Sequence, residues 1–295
     1  MPFLCPSVSS VVKSVCRFPF LRQSSKIIVL TAVCDISLYC RIPPERHRHM
    51  PLKESEAIVL RTYPLREADL LVTLFTRAEG KVKGVAKSAM RSRRRFGGAL
   101  EPLTCVRALW EDRERQELAR IDSCEVLLSP MSEEVDYGRA AALAHIAEML
   151  DELMPDREAN DTVFRLAWSV LQNVHAGAVW MPITYFELWM VRLMGFLPDF
   201  SECTECGGTL IGQPSFYHAM IDGLICSRDK RLASSELSQQ SRTLAAEMFR
   251  QPVENFVGEP WPRKTAADLR KFLMQIVQRH AERKLVTLAA LEKVD

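Results

Sequence analysis

The chain has 295 residues, of which 47% are hydrophobic and 26% charged, values typical of a globular protein with room for about two domains. The spacing of its nine cysteines does not suggest a disulfide framework, so we expect free thiols and a reducing compartment. The sequence shows no glycine-rich phosphate loop, no internal repeat and no Ser/His/Asp arrangement with a recognisable context. It therefore gives no sign of the common nucleotide-binding or hydrolytic enzyme sites.

The first 49 residues differ from the rest because they are strongly basic. They hold seven Lys and Arg residues against Asp35 and Glu45, a net charge of +5, whereas residues 50–295 carry −3. A basic, acid-poor leader fits an organellar transit peptide, and the run Ile27–Cys34 fits a short signal-peptide core, although it is too short to span a membrane. We favour a third interpretation, in which translation begins at Met50. In either case we expect residues 1–49 to be disordered or loosely attached, outside the fold.

Residues 50–130 are expected to form a nucleic-acid-binding β-barrel of the oligonucleotide-binding type (OB-fold). Five short runs of strand-forming residues lie between turn or polar segments. They cover 57–60, 70–75, 81–85, 103–110 and 117–121. Five such strands without a helical period favour a small barrel, although a small β-sandwich satisfies the same strand count. Cys105 and Cys124 fall in these strands as expected buried thiols.

Positive charge is concentrated in the third strand and the segment after it. The window from 81 to 95 contains seven cations and no acid, namely Lys81, Lys83, Lys87, Arg91, Arg93, Arg94 and Arg95. Lys81 and Lys83 are two residues apart in the strand and so lie on the same face, whereas the arginines fall on the following loop. Because solvated faces usually mix signs, we expect this set to bind nucleic-acid phosphates with little sequence preference. Phe96 and Trp110 are candidates for stacking on bases, although we favour core positions for both.

Further along, apolar residues recur at helical spacing in two segments that flank a cysteine-bearing insertion. We expect one helical domain built from residues 131–200 and 231–295, with the insertion at 201–230. A final amphipathic helix is expected to follow a cap at Thr265.

The insertion has the spacing of a zinc ribbon in which one ligand is replaced. Cys203 and Cys206 are separated by two residues, and Cys226 follows in a Gly-Leu-Ile-Cys turn. A complete ribbon would have a fourth cysteine where this chain has Asp229. Zinc accepts a carboxylate oxygen, so these four residues are expected to hold a structural zinc ion, with His218 as the alternative fourth ligand. The competing interpretation is a relic ribbon whose cysteines are merely small buried residues.

A zinc deaminase would have a His-x-Glu segment upstream of a Pro-Cys-x-x-Cys segment. The His-x-Glu of this chain, from His280 to Glu282, lies downstream of the cysteines, and Glu202 stands before Cys203. The order of these segments argues against this enzyme class.

The order of the parts resembles the RecO family of bacterial recombination mediators. The residues that carry the resemblance are Ala57-Ile58-Val59-Leu60, Leu74-Phe75-Thr76, Gly84-Val85-Ala86-Lys87, Leu100-Glu101-Pro102-Leu103, Phe186-Glu187-Leu188, Gly195-Phe196-Leu197-Pro198-Asp199 and the cysteines from Cys203 onward. The similarity extends from Met50 to the C terminus.

This resemblance implies an α+β multi-domain protein with an N-terminal OB-fold barrel, a helical domain and an inserted zinc-ribbon-like knuckle. Proteins similar to this one are non-enzymatic and cytoplasmic, in association with the nucleoid. They bind single- and double-stranded DNA, anneal complementary strands and act with RecR. They also engage the acidic C-terminal tail of single-stranded-DNA-binding protein (SSB) and help to load RecA onto SSB-coated DNA.

The resemblance assigns the DNA role to the window 81–95 and the metal role to Cys203, Cys206 and Cys226. Asp229 departs from the zinc-bearing members of the family, which have a fourth cysteine there. The alternative function is a zinc-ribbon regulator that reads duplex DNA. Such a regulator would need a recognition helix, for which the sequence gives no signal.

Overall fold

The computed structural model describes residues 51–112, 116–130, 134–258, 261–281 and 283–294. They belong to a single compact unit of the chain. The expectation for residues 1–49 falls outside these described residues. Among the helices of the described segments, none is both long and apolar enough to cross a membrane.

Five strands form a closed barrel in the order β1-β2-β3-β5-β4. They are β1 (Lys53–Pro64), β2 (Leu70–Thr76), β3 (Gly80–Ala86), β4 (Cys105–Glu111) and β5 (Ala119–Leu128). Paired neighbours are antiparallel except for β3 and β5, which are parallel. This five-stranded closed topology is OB-like and confirms the predicted fold class. Cys105 and Cys124 are buried free thiols, as expected.

The first strand is apolar on both faces because it separates two cores. Ala57 and Val59 contribute to the barrel interior, together with Trp110. Ile58 and Leu60 alternate with them and belong instead to the core of the helical part. A strand that is covered on both faces has a continuous run of apolar residues in its sequence, as this strand does at 57–60. Trp110 and Phe96 are 0% and 3% exposed, so both are core residues as favoured above.

Helices follow the barrel in sequence. They are α2 (Tyr137–Leu153), α3 (Asp161–Asn173), α4 (Trp180–Leu193), α5 (Gln239–Met248), α6 (Ala267–His280) and the single turn α7 (Leu288–Leu291), while another single turn, α1 (Arg93–Phe96), lies between β3 and β4. The prediction that Thr265 caps α6 is wrong. Ala266 precedes that helix with φ 52° and makes no side-chain cap, and the Thr265 carbonyl accepts a hydrogen bond from Arg270 instead.

The segment between α4 and α5 forms a knuckle with two short antiparallel strands, β6 (Ser215–Tyr217) and β7 (Ser235–Leu237). Its buried side chains do not form a separate core. Leu224 and Ile225 belong to the same core as the helices, and the ring of Tyr217 lies 5.1 Å from that of Phe272 in α6. The knuckle is therefore anchored on the helical part by apolar packing.

The barrel meets the helical part along β3. The backbone N–H of Arg157 donates to the Lys81 carbonyl at 2.9 Å. Gly80 has φ +68°, and a Cβ atom there would lie 1.9 Å from the carbonyl oxygen of Glu158. Only glycine permits both this backbone conformation and this approach of the two chains.

Gly80→Ala should therefore destabilise the protein by about 3 kcal/mol or more, since it adds a backbone clash to a left-handed conformation. Urea unfolding followed by circular dichroism measures the loss. Gly98→Ala is the matched control: its φ is +85°, but nothing lies within 4 Å of an added Cβ. The control should lose only about 1 kcal/mol. Equal losses in the two variants would show that the contact with Glu158 is unimportant.

Candidate nucleic-acid interface and metal centre

The structure places the two strand lysines of the basic window at the joint between the barrel and the helices. Lys81 is only 9% exposed, and its Nζ donates to the Asp151 carbonyl at 2.6 Å and lies 3.2 Å from the Asp156 carboxylate. Lys83 reaches the other oxygen of Asp156 at 2.8 Å. The two lysines share a face, as expected, but this face is turned toward the helical part. The prediction of an exposed phosphate-binding Lys81 is thus corrected, because its charge is buried and paired within the chain.

Asp156 is held in its charged form by these lysines. Its partial burial alone would raise the pKa, but hydrogen bonds from Lys83 and Lys81 outweigh that effect and lower the pKa below its usual value. The pairing is therefore an ionic contact of the joint.

Arg95 braces the loop that connects β3 to β4. Its guanidinium donates to the Lys87 carbonyl at 2.7 Å, to the Ser92 hydroxyl at 3.2 Å and to the Asp122 carbonyl of β5 at 3.4 Å. It also lies 5.0 Å from the ring centre of Phe96. With its donors engaged internally, Arg95 fixes the loop rather than extending into solvent.

The remaining four cations of the window are exposed on one loop, and we call this set the cationic loop: Lys87, Arg91, Arg93 and Arg94. Arg91 lies 3.9 Å from Glu67, and since both side chains are largely exposed the pair contributes little. Within the part of the chain that the structure describes, the other three have no ion-pair partner. These charges are available to an external anion.

Four candidate metal ligands meet in the knuckle. The Sγ atoms of Cys203, Cys206 and Cys226 and a carboxylate oxygen of Asp229 all lie within 4.8 Å of one another. The Cys206 and Cys226 sulfurs are 3.9 Å apart, and the thiols of Cys203 and Cys226 donate to Asp229 at 3.2 and 3.1 Å. Ligands at about 2.0 to 2.3 Å from a tetrahedral ion lie about 3.3 to 3.8 Å apart, and these three distances are close to that range, so the donor set is consistent with zinc. The alternative ligand, His218, is not in this cluster, and its Nδ1 accepts from the Met220 N–H.

The charges of the cluster are mixed, because the hydrogen bond with Asp229 raises the pKa of the Cys206 thiol to about 11 while the carboxylate itself is ionised. Hydrogen bonds from the thiols of Cys206, Cys226 and Cys203 lower the pKa of Asp229 to about 2, so this ligand is ionised at neutral pH. Arg228, which sequence reasoning did not single out, has its Nη2 at 3.6 Å from Cys206 Sγ. Its position beside Asp229 in the sequence was the available signal. It supplies positive charge next to a ligand set that is negative when the thiols are deprotonated.

The knuckle backbone is shaped to bring these ligands together. The Gly207 N–H donates to the Cys203 carbonyl at 2.8 Å, and the Cys226 N–H donates to Cys203 Sγ at 3.3 Å. Gly223 has φ +146°, and a Cβ there would lie 2.0 Å from the Thr204 hydroxyl oxygen.

Fold and site together define an OB-barrel protein with an exposed cationic loop, a helical domain and a four-ligand knuckle. Family models for the N terminal and C terminal parts of recombination protein O match residues 50–130 and 134–289. The chain belongs to the RecO family.

Curated relatives support this membership over most of the chain. The DNA repair protein RecO of Koribacter versatilis is 67% identical over 244 residues, which cover 83% of this chain and 100% of the relative. RecO of Anaeromyxobacter sp. strain K is 31% identical over 80% of this chain and 94% of its own length. RecO of Pelotomaculum thermopropionicum is 29% identical over 83% of this chain and 95% of its own length.

Lys81→Met should lower the free energy of unfolding by about 3 kcal/mol, because it leaves buried acceptors without their ammonium partner. Lys83→Met should cost less than about 1 kcal/mol, since that side chain is 47% exposed. Chemical denaturation of the two variants tests the difference. A Lys81→Met variant as stable as the native protein would show that this lysine is not part of the joint.

Asp229→Ala should weaken zinc binding by at least about tenfold, and Asp229→Cys should strengthen it, because a thiolate is the softer ligand. His218→Ala is the control and should bind zinc like the native protein. Zinc content by atomic spectroscopy and competition with a chromogenic chelator provide the measurement. Loss of zinc in His218→Ala but not in Asp229→Ala would overturn the assignment of the fourth ligand.

Proposed function

We propose that this protein acts in DNA repair by binding single- and double-stranded DNA and annealing complementary strands. The observation that carries the proposal is the cationic loop, which exposes four positive side chains on an OB-type barrel. Barrels of this type commonly bind single strands through positive grooves. Membership in the RecO family, whose curated relatives are DNA repair proteins, supports the same role.

The chemistry required is approximation on a charged surface rather than a covalent step. Binding of phosphates by Lys and Arg releases condensed counterions, so affinity should fall steeply as salt rises. Two strands held on one surface repel each other less and meet at a higher effective concentration. The proposal therefore assigns no catalytic residue.

The partners follow from the family resemblance. We propose RecR as the co-acting protein, the acidic C-terminal tail of SSB as a docking ligand, and RecA as the protein finally loaded onto the DNA. The four exposed cations are of the right sign to attract either DNA or an acidic tail.

Zinc has a structural role in this proposal. Cys203, Cys206, Cys226 and Asp229 would hold it, and four protein ligands leave no open coordination position for a reacting molecule. The ion would fix the loops of a knuckle that is otherwise held by packing against the helices.

The double variant Arg93→Glu/Arg94→Glu should reduce annealing of SSB-coated complementary strands by at least about a hundredfold and should flatten the salt dependence of DNA binding. Arg95 is left intact because it braces the loop. Fluorescence-monitored annealing at low and moderate salt gives the rates.

The matched control is Arg250→Glu/Lys271→Glu, which makes the same change of net charge at two exposed positions of the helical part. It should anneal like the native protein. Equal loss in both double variants would indicate a net-charge effect. Unchanged annealing in the Arg93/Arg94 variant would refute the proposed site, and tight binding of one duplex sequence over others would favour the regulator.

A further inference from the structure

A cavity of about 260 Å³ opens beside the cationic loop. Its large apolar lining residues are Leu70, Met90, Phe96 and Leu100, and its charged lining residues are Arg93 and Glu101. Arg93 thus belongs both to the cationic loop and to the cavity. No step of the strand-approximation mechanism described above uses this cavity.

We propose that the cavity receives one unpaired nucleobase of a DNA strand whose phosphates lie on the cationic loop. This inference rests on the proposed function and adds a base site to it. The volume of the cavity is adequate for a nucleobase, since a cavity of roughly 150 Å³ holds a benzene molecule. The charges are complementary, because Arg93 lines the cavity and the exposed cations Arg94 and Lys87 belong to the same loop, where they are expected to meet the adjoining phosphates.

Met90 is the residue best placed to contact the base. Its side chain is 61% exposed although it is large and apolar, and it lies in a short turn between Ala89 and Arg91. A thioether is polarisable and makes favourable contacts with aromatic rings. Phe96 is only 3% exposed and has the Arg95 guanidinium over its ring, so it forms part of the floor rather than an open stacking platform.

The Glu101 carboxylate makes one side of the cavity negative, whereas Arg93 makes another side positive. The carboxylate would repel a phosphate, so the sugar-phosphate backbone is expected on the Arg93 side. An acid at this place also disfavours an acidic peptide as the occupant. The charges therefore favour a neutral ring inside and anionic groups outside.

The cavity is built on a loop that is already fixed. The Ser88 N–H donates to the Asp69 carboxylate at 2.8 Å, and the Met90 N–H donates to the Ala68 carbonyl at 3.2 Å. Arg95 ties the same loop to β5. A preformed site loses little conformational entropy on binding, which allows a single base to add measurable affinity.

A base paired within a duplex is not available to such a cavity, whereas phosphates are available in either form. The cavity would therefore distinguish single-stranded from double-stranded DNA. The cationic loop should bind both, and the base site should add affinity for single strands alone.

Met90→Ala tests the inference, with Met220→Ala as the matched control. Met220 is 81% exposed and lies in the knuckle, away from the residues that line the cavity. Titration of a fluorescent 20-nucleotide single strand and of a hairpin duplex gives the affinities. Met90→Ala should weaken single-strand binding about tenfold and leave duplex binding unchanged. Met220→Ala should alter neither.

A single strand carrying abasic sites provides the second measurement. The native protein should lose about the same factor on the abasic strand, and Met90→Ala should lose nothing further there. Native single-strand affinity in Met90→Ala, or an equal loss on duplex, would overturn the base site. So would loss of SSB-tail peptide binding in Met90→Ala with DNA binding intact, because the cavity would then belong to that partner.

The same measurements distinguish failure of the base site from failure of DNA binding by the cationic loop. If the Arg93→Glu/Arg94→Glu variant binds both DNA forms like the native protein, the DNA-binding loop itself is refuted. If that variant loses binding while Met90→Ala does not, the loop stands and only the base site is overturned.

Discussion

The close approach of Gly80 to the Glu158 backbone joins the barrel to the helices, and the arrangement of the charged residues depends on it. A side chain at Gly80 would push the two parts of the chain away from each other. With the backbones in contact, Lys81 is buried against Asp151 and Asp156, and Lys83 lies beside it. The positive charge of the basic window is therefore divided. Lys81 is buried in the joint with Lys83 paired beside it, Arg95 braces the loop, and Lys87, Arg91, Arg93 and Arg94 are exposed to solvent after the end of β3.

The sequence predicts the secondary structure well because the period of the apolar residues is set by burial. Each of the five predicted runs overlaps a strand of the barrel, although β1 extends well beyond 57–60 and β5, at Ala119–Leu128, only partly overlaps the predicted 117–121. What it could not supply is the partner of each charge. Nothing in a run of Lys and Arg distinguishes Lys81, which meets an acid seventy residues away, from Arg93, which meets none among the described residues. Arg95 differs from its neighbours only through acceptors that the folded loop supplies.

The metal cluster was more predictable than the basic surface for the same reason. Each pair of ligands is spaced locally, Cys203 with Cys206 and Cys226 with Asp229, and the two pairs together match the zinc-ribbon pattern, so the set could be recognised from the sequence alone. The structure brings all four together and leaves His218 outside the cluster. The packing of the knuckle on α6 through Tyr217 and Phe272 was not predictable, because it joins residues that are far apart in the chain.

The double burial of β1 also affects how the protein is made. Ile58, Leu60 and Phe75 face outward from the barrel into the core of the helical part, where Phe75 meets Phe164. During synthesis at about 5 to 20 residues per second, an interval on the order of several seconds separates the completion of β5 from that of α3. Throughout that interval a closed barrel would present an uncovered apolar strip on the ribosome. The two parts are distinct in architecture, yet the emerging chain has to reach its helices before the barrel is protected from aggregation.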